Sequence, residues 1–283
     1  MTDRKVTKAV FPAAGLATRF LPATKAVPKE LLPLVDKPVL QYAVEEAIEA
    51  GIDEFVFITS RRKPAIEAHF KPNPYLEGRV FNDCNIPPDK LHIVYQDEPL
   101  GLGHAVYCAK QAVGDEPFAV LLPDDLILGS PGALRQMVNF YQSNPVSAVI
   151  AAVDVPDSET HLYGMIDGQE KIDGIHVTKL VEKPAPGQSP SNVAIMGRYI
   201  LPPEIFGLIE ADINNKQRKG EVQLTSAIAS LAAANDVRGL RIKGGRYDCG
   251  HCAGWIDASI AYALQRPELA PTIQKLIKKW STQ

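Results

Sequence analysis

The spacing of its apolar runs constrains this chain more than any other feature. Through the first half, strand-length runs alternate with helix-length segments whose apolar residues recur on one face. Lys8–Pro12 is a short apolar run that opens into a polar loop containing Gly15. Leu40, Ala43, Val44, Ala47 and Ile48 fall at i, i+3, i+4, i+7 and i+8, the stripe of an amphipathic helix, and Gly51 ends it. EFVFIT (54–59), LHIVY (91–95) and FAVLL (118–122) read as strands, separated by the helical stretches KPAIEAHF and GHAVYCAKQAV (103–113). A helix over 132–143 and a strand over 147–153 complete the series. Strands alternating with helices need βαβ crossovers, so the expected fold is α/β, with a mostly parallel central sheet and helices on both faces.

The second half changes character. YGMID, HVTKLVEKP and NVAIMGRYIL look like strands at hairpin spacing, a small antiparallel excursion attached to the sheet. Helices return at 203–211 and 222–234, with a strand over 237–242, and the residues after Cys252 read as helix. The stretch 71–90 is rich in Pro, Asn and Asp and reads as a surface loop. No linker or repeat divides the chain, so residues 1–283 are expected to form a single domain.

With 46% hydrophobic and 22% charged residues, the composition is that of a soluble globular protein. A net charge of −3 gives no reason to expect a nucleic-acid or anionic-membrane partner. No run approaches the roughly 18 apolar residues of a membrane span, and the N-terminal apolar run is too short for a signal peptide. The expected location is the cytoplasm, where the four cysteines stay reduced. Cys249-Gly250-His251-Cys252 has the outline of a redox site. A thioredoxin-like motif, however, needs about half of its fold downstream, and only residues 253–283 remain. A zinc site would need a second ligand pair at suitable spacing, which Cys84 and Cys108 do not supply.

Chemistry concentrates in residues 11–38. A strand opens into a loop at Gly15, and Arg19, Lys25 and Lys29 follow closely. Backbone amides after a strand cradle phosphates, and cations neutralise their charge. The stretch matches neither the G-x-G-x-x-G fingerprint nor a P-loop. Asp124 and Asp125 stand just past a buried-type strand, at the sheet edge where α/β proteins bind ligands. An acid there suits Mg²⁺, which takes one or two carboxylates and completes its shell with phosphate oxygens and water. GLGHAV (101–106) puts two glycines before a helix, and Glu182-Lys183 ends a strand with a carboxylate and an ammonium. Each feature taken alone has a plain structural reading: a solvated basic loop, an Asp pair capping a turn, a simple turn, a surface ion pair. Together they suit phosphoryl or nucleotidyl transfer, which needs positioning and charge neutralisation more than a nucleophile.

AAGLATRFLPATKAVPKELLPLVDKPVLQYAVEEA, GLGHAV, LPDD, YGMID, VEKP, SNVAIMGRYIL, GEVQLTSAI and RYDCG occur in this order from about Lys8 to Asp257. In this the chain resembles the bacterial UTP–glucose-1-phosphate uridylyltransferases of the sugar-nucleotidyltransferase superfamily. The resemblance implies a Rossmann-like nucleotidyltransferase fold that makes UDP-glucose and pyrophosphate from UTP and glucose 1-phosphate with Mg²⁺. It implies a nucleotide-binding part over 8–150, a sugar-phosphate-binding part over 151–250 and C-terminal helices over 251–283. Ala13, Ala14 and Gly15 would line the nucleotide, and Arg19 and Lys29 would hold the triphosphate. Gln96 and Gly101 would read the uracil edge. Asp124 would bind the metal, with Asp248 approaching from the other side. Gly164, Glu182 and Lys183 would take the glucose and its phosphate, with Asn192 and Glu221 nearby. The family also implies a homodimer or homotetramer.

The chain departs from the family pattern at several places. Ala17 stands where the loop usually has a second Gly, Ser226 where it has Asp, and His251-Cys252 where it has Ser-Lys. The 71–90 loop is also shorter than its usual counterpart, which bears on subunit contacts. Two other readings stay open at this stage. One is a thymidylyltransferase on the same fold, and the other is a weakened homologue that binds UDP-glucose as a sensor.

Overall fold

The computed structural model describes residues 4–76 and 84–281. In chain order its strands are β1 (Lys8–Pro12), β2 (Pro33–Leu34), β3 (Lys37–Pro38), β4 (Glu54–Thr59), β5 (Leu91–Tyr95), β6 (Phe118–Leu121) and β7 (Asp125–Leu128). They continue with β8 (Ala148–Asp154), β9 (Gly164–Lys171), β10 (Gly174–Glu182), β11 (Val193–Leu201), β12 (Val237–Arg241) and β13 (Gly245–Asp248). The helices are α1 (Val39–Glu49), α2 (Pro64–Phe70), α3 (Leu102–Cys108), α4 (Lys110–Val113), α5 (Ala133–Ser143), α6 (Ile205–Ile213), α7 (Leu224–Ala232), α8 (Cys252–Leu264) and α9 (Ala270–Ser281).

Nine strands pair in the order β5-β4-β1-β6-β11-β8-β12-β10-β9. The half from β5 to β6 is parallel, as strand–helix alternation requires. The other half is mixed: β8 and β12 run parallel, while β11 lies antiparallel to both β6 and β8. The sheet is therefore mixed rather than mostly parallel. The β9–β10 hairpin is the expected antiparallel excursion and forms the edge. NVAIMGRYIL meets that edge only where Ala194 lies opposite Met165 of β9; otherwise β11 enters the middle of the sheet, with all nine residues buried. Apart from Gly197 and Arg198 its residues are apolar, as a strand covered on both faces requires.

Alternation along the strands separates two cores. Val10, Val56 and Ile58 face the side covered by α3, α6 and α7. Ala9, Phe11, Phe55 and Phe57 face the side covered by α1, α2 and α5. Within α1, Leu40, Ala43, Val44 and Ala47 are buried as their spacing predicts. Ile48, the fifth member of the stripe, is 49% exposed, because it lies beyond the width of the buried face. The stretch 103–113 divides at Ala109 into α3 and α4. Of the 71–90 loop, residues 77–83 lie outside the described residues.

The middle of the sheet holds an ion pair. Arg198 of β11 is fully buried and bonds Glu46 of α1, with Nη2 2.8 Å from Oε2, and its Nη1 donates to the carbonyls of Leu122 and Gly197. Removing one partner of such a pair costs about 3–5 kcal/mol, because the other charge stays buried. Gly197 lets the two strands close up: a methyl on it would stand 2.7 Å from Leu122 Cβ. This packing holds the segment that carries Asp124.

Candidate active site

A cleft of about 530 Å³ opens beyond the C-terminal ends of β1 and β6, the edge at which open α/β sheets bind ligands. Ala14, Gly15 and Ala17 wall it on one side, with Lys29, Gln96 and Asp124 around it. Ala13 lies beneath, buried, its N–H donating to the Ile58 carbonyl. Ala17 sits at φ 53°, ψ 40°, the left-handed region that glycine enters without strain. The Thr24 hydroxyl donates to the Ala17 carbonyl at 2.9 Å and helps hold the residue there. Lys25 is exposed on the following turn and does not wall the cleft.

At the far wall Gln96 is nearly buried. Its Nε2 donates to the Gly101 carbonyl at 3.2 Å and to His104 Nδ1 at 2.9 Å. The carbonyl cannot donate, so it fixes which way the amide points, and Nδ1 of His104 must be unprotonated. Burial holds the His104 imidazole below its ordinary pKa, which favours that neutral form. Gly101 has φ 111°, and a methyl on it would meet the Val222 carbonyl at 2.7 Å. Only glycine fits both the conformation and the contact.

Lys29 Nζ donates to Asp124 Oδ2 at 2.5 Å. Burial pushes the Asp124 carboxyl up, and the Lys29 ammonium more than offsets this, so the group stays below the usual carboxylate range. For Lys29, burial acts downward, and the charge of Asp124 raises it above the usual ammonium range. Asp248 arrives through the β7–β13 ladder, in which it lies opposite Asp125, while the Cys249 N–H donates to the Asp124 carbonyl at 2.7 Å. A methyl on Gly250 would stand 2.8 Å from Asp248 Oδ1, 3.6 Å from Asp124 Oδ2 and 3.8 Å from Arg19 Nη1. Two carboxylates and a guanidinium thus converge on a space that a side chain would fill. That donor set fits a hard cation with phosphate oxygens.

A second cleft of about 260 Å³ adjoins the first, and Leu102, Leu122 and Glu221 wall both. Gly164, Glu182 and Lys183 line it. Glu182 Oε2 accepts from the Thr225 hydroxyl at 2.6 Å and would lie 3.0 Å from a methyl on Gly164. Lys183 has φ 43°, and its N–H donates to the Tyr163 carbonyl at 3.0 Å. Asn192 is exposed beside the start of β11 and does not wall this cleft; its carbonyl accepts from Val155.

Three contributors escape the motif reading. Thr225 orients Glu182. Arg246 grips Asp125 through two contacts, at 2.8 and 3.0 Å, and its guanidinium lies 4.5 Å from the centre of the Tyr163 ring. Lys63, outside every motif, donates to the carbonyls of Ala13 and Gly15, both at 2.7 Å. The signal for Arg246 was present, since it stands two residues before Asp248 and strand periodicity puts both on one face.

The C-x-x-C pair has no geometry for redox work. Cys249 is buried and Cys252 exposed. Burial, aided by Asp124 and Asp248, pushes the Cys249 thiol up to about 12, where almost no nucleophilic thiolate forms. His251 caps α8, its Nδ1 accepting from the Gly254 N–H at 3.1 Å. Among the described residues, no group of three or more His, Cys, Asp or Glu side chains is arranged around a metal position.

An open α/β sheet with paired clefts, a carboxylate pair and flanking cations at its strand ends defines a protein that handles phosphorylated ligands. The family model for nucleotidyl transferases matches residues 8–265. The UTP–glucose-1-phosphate uridylyltransferase of Bacillus subtilis (strain 168) is 44% identical over 294 residues, covering 98% of this chain and 99% of its own. A UTP-bound UGPase from Acinetobacter baumannii has a TM-score of 0.84 at 39% identity, covering 96% of this chain and 99% of its own. A UDP-glucose pyrophosphorylase complexed with UDP-glucose has a TM-score of 0.85 at 39% identity, covering 93% of this chain and all of its own. The chain belongs to the nucleotidyl transferase family, on its branch of bacterial UTP–glucose-1-phosphate uridylyltransferases.

Proposed function

We propose that this chain makes UDP-glucose and pyrophosphate from UTP and glucose 1-phosphate. The observation that carries the reading is the pair of adjoining clefts, with Asp124 in the wall of one and Asp125 in the wall of the other. A nucleotide in the first brings its α-phosphate to the sugar phosphate in the second. An oxygen of the sugar phosphate forms a bond to the α-phosphorus, the bond from that phosphorus to the bridging oxygen breaks, and pyrophosphate leaves in line. The kinship with uridylyltransferases over nearly the full length favours UTP over dTTP.

The roles follow from position. Ala14 and Gly15 line the nucleotide with backbone, with Ala13 supporting them from beneath, and Gln96 and Gly101 face the base. Arg19 and Lys29 hold the triphosphate and take up the charge that develops on the leaving pyrophosphate. Gly164, Glu182 and Lys183 hold the sugar phosphate, with Glu221 at the junction and Asn192 at the margin. Asp124 and Asp248 are the residues that would hold Mg²⁺, which when bound neutralises phosphate charge. Lys29 donates to one oxygen of Asp124. In this reading residues 8–150 form the nucleotide-binding part, 151–250 the sugar-phosphate-binding part and 251–283 the C-terminal helices, although Glu221 also walls the first cleft and Leu102, Leu122 and Asp125 the second.

The sensor reading is weaker, because the left-handed Ala17 keeps the loop conformation that Gly would take. Ile256 and Ile260 of α8, 61% and 37% exposed, support a homodimer or homotetramer. The use of UTP supports a cytoplasmic location, and among the described residues no helix is long and apolar enough to cross a membrane. Pyrophosphate release from UTP and glucose 1-phosphate with Mg²⁺ tests the proposal. It is expected in the wild type and lost in Asp124→Asn. Tight UDP-glucose binding without turnover would favour the sensor instead.

A further inference from the structure

Lys63 stands just before α2, outside both clefts and every motif, yet its side chain is only 12% exposed and the carboxylate it meets only 1%. Its ammonium donates to the carbonyls of Ala13 and Gly15, both at 2.7 Å, and to Glu30, at 2.9 Å from Oε2 and 3.2 Å from Oε1. An ammonium has three donors, so two carbonyls and one carboxylate use all of them. In a trans peptide the C=O and the next N–H point in opposite directions. With the carbonyls of Ala13 and Gly15 drawn to Lys63, the amides of Ala14 and Leu16 are turned away from it. Ala14, Gly15 and Leu16 wall the first cleft, whereas Lys63 does not.

Glu30 adds a second consequence. Burial pushes its carboxyl up, and Lys63 is the larger of the two charges that hold it down, the other being its neighbour Lys29. Without Lys63, a buried carboxylate would have Lys29 as its remaining cation. Lys29 would then be drawn from Asp124 towards Glu30. A single ammonium behind the loop thus serves both the amides on one side of the cleft and the cation on the other.

We propose that Lys63 is a positioning residue for the nucleoside triphosphate: it turns the loop amides of Ala14 and Leu16 toward the phosphates and, by meeting Glu30 itself, keeps Lys29 beside Asp124 in the cleft wall. The inference rests on the reading of the first cleft as the UTP site and goes beyond it by assigning the loop geometry to a residue that touches no substrate.

The test combines Lys63→Met, Glu30→Gln and the double variant. Each is measured by calorimetric UTP binding without sugar, by steady-state kinetics and by thermal melting. Lys63→Met is expected to weaken UTP binding and raise KM for UTP by about tenfold or more, the loss of charge-assisted hydrogen bonds. KM for glucose 1-phosphate should stay within about twofold, a split that a general loosening of the fold would not give. Should Lys63→Met fail to fold, the double variant carries the test, since it removes the buried charge together with its partner. Its melting temperature is expected to return toward wild type while UTP binding stays weak. The proposal is overturned if a folded Lys63→Met binds UTP like wild type. It is also overturned if the double variant restores UTP affinity, because neutralising Glu30 would then be the whole role of Lys63. A wild-type chain that neither binds nor turns over UTP overturns the parent reading and takes this one with it.

Discussion

Lys29 and Asp124 form a hydrogen-bonded ion pair at the wall of the nucleotide cleft, with the Lys29 side chain 21% and the Asp124 side chain 30% exposed. The cation proposed to meet phosphate thus occupies an oxygen proposed to meet metal. Lys29→Met should lower kcat by about 10²-fold or more, because it removes charge that stabilises the leaving pyrophosphate. The same change should tighten Mn²⁺ binding to the nucleotide-free chain, read by electron paramagnetic resonance. Unchanged kcat would remove Lys29 from the chemistry.

Ala17→Gly separates two effects. Left-handed alanine costs about 1 kcal/mol, while glycine adds an unfolded-state entropy penalty of about 0.4–1 kcal/mol. These nearly cancel, so the melting temperature should hardly move. The methyl group also leaves the cleft wall, so KM for UTP should fall. A rise in KM would mean that the methyl packs against the nucleotide.

His104 predicts an acid limb. Burial depresses its pKa below 6.5, so as pH falls from that value the unfolded chain takes up a proton before the folded one does. Its contribution to stability is therefore complete above 6.5 and declines as pH falls toward the folded pKa. Protonation at Nδ1 also replaces the acceptor that Gln96 uses, so KM for UTP should rise on the acid side. In His104→Phe that pH dependence of KM should vanish, with a higher KM throughout.

Thr225→Val removes the hydroxyl that donates to Glu182 Oε2 and leaves the shape nearly intact. KM for glucose 1-phosphate should rise by about tenfold, the value of a hydrogen bond to a charged group, with KM for UTP unchanged. Equal effects on both constants would argue against a separate sugar-phosphate cleft.

Cys252→Ser should leave uridylyl transfer within about twofold of wild type, since the thiol is exposed at the start of α8 and the neighbouring Cys249 thiol is held protonated. A large loss would return the C-x-x-C pair to the chemistry.

How much of this was legible in the sequence depended on the range of the interaction. The strands and helices of the parallel half follow from local periodicity, and the chain folds there as its pattern dictates. The placement of β11 does not, because a mostly apolar strand suits an edge hairpin and a sheet centre equally until its neighbours are known. Asp124 and Asp248 could be picked as acids in motifs. Their convergence depends on the pairing of β7 with β13, two strands too short to announce themselves. Lys63 carried no signal at all, since its partners lie 33 to 50 positions away and two of them are backbone carbonyls.

The central claim is a reaction, and steady-state pyrophosphate release across nucleotides and sugar phosphates measures it directly. With Mg²⁺ and glucose 1-phosphate, UTP should be used with a kcat/KM at least about tenfold above dTTP, a difference of about 1.4 kcal/mol. Pyrophosphate should disappear when either substrate or the metal is withheld. A chain that prefers dTTP, or that binds UDP-glucose and releases no pyrophosphate, would contradict the account.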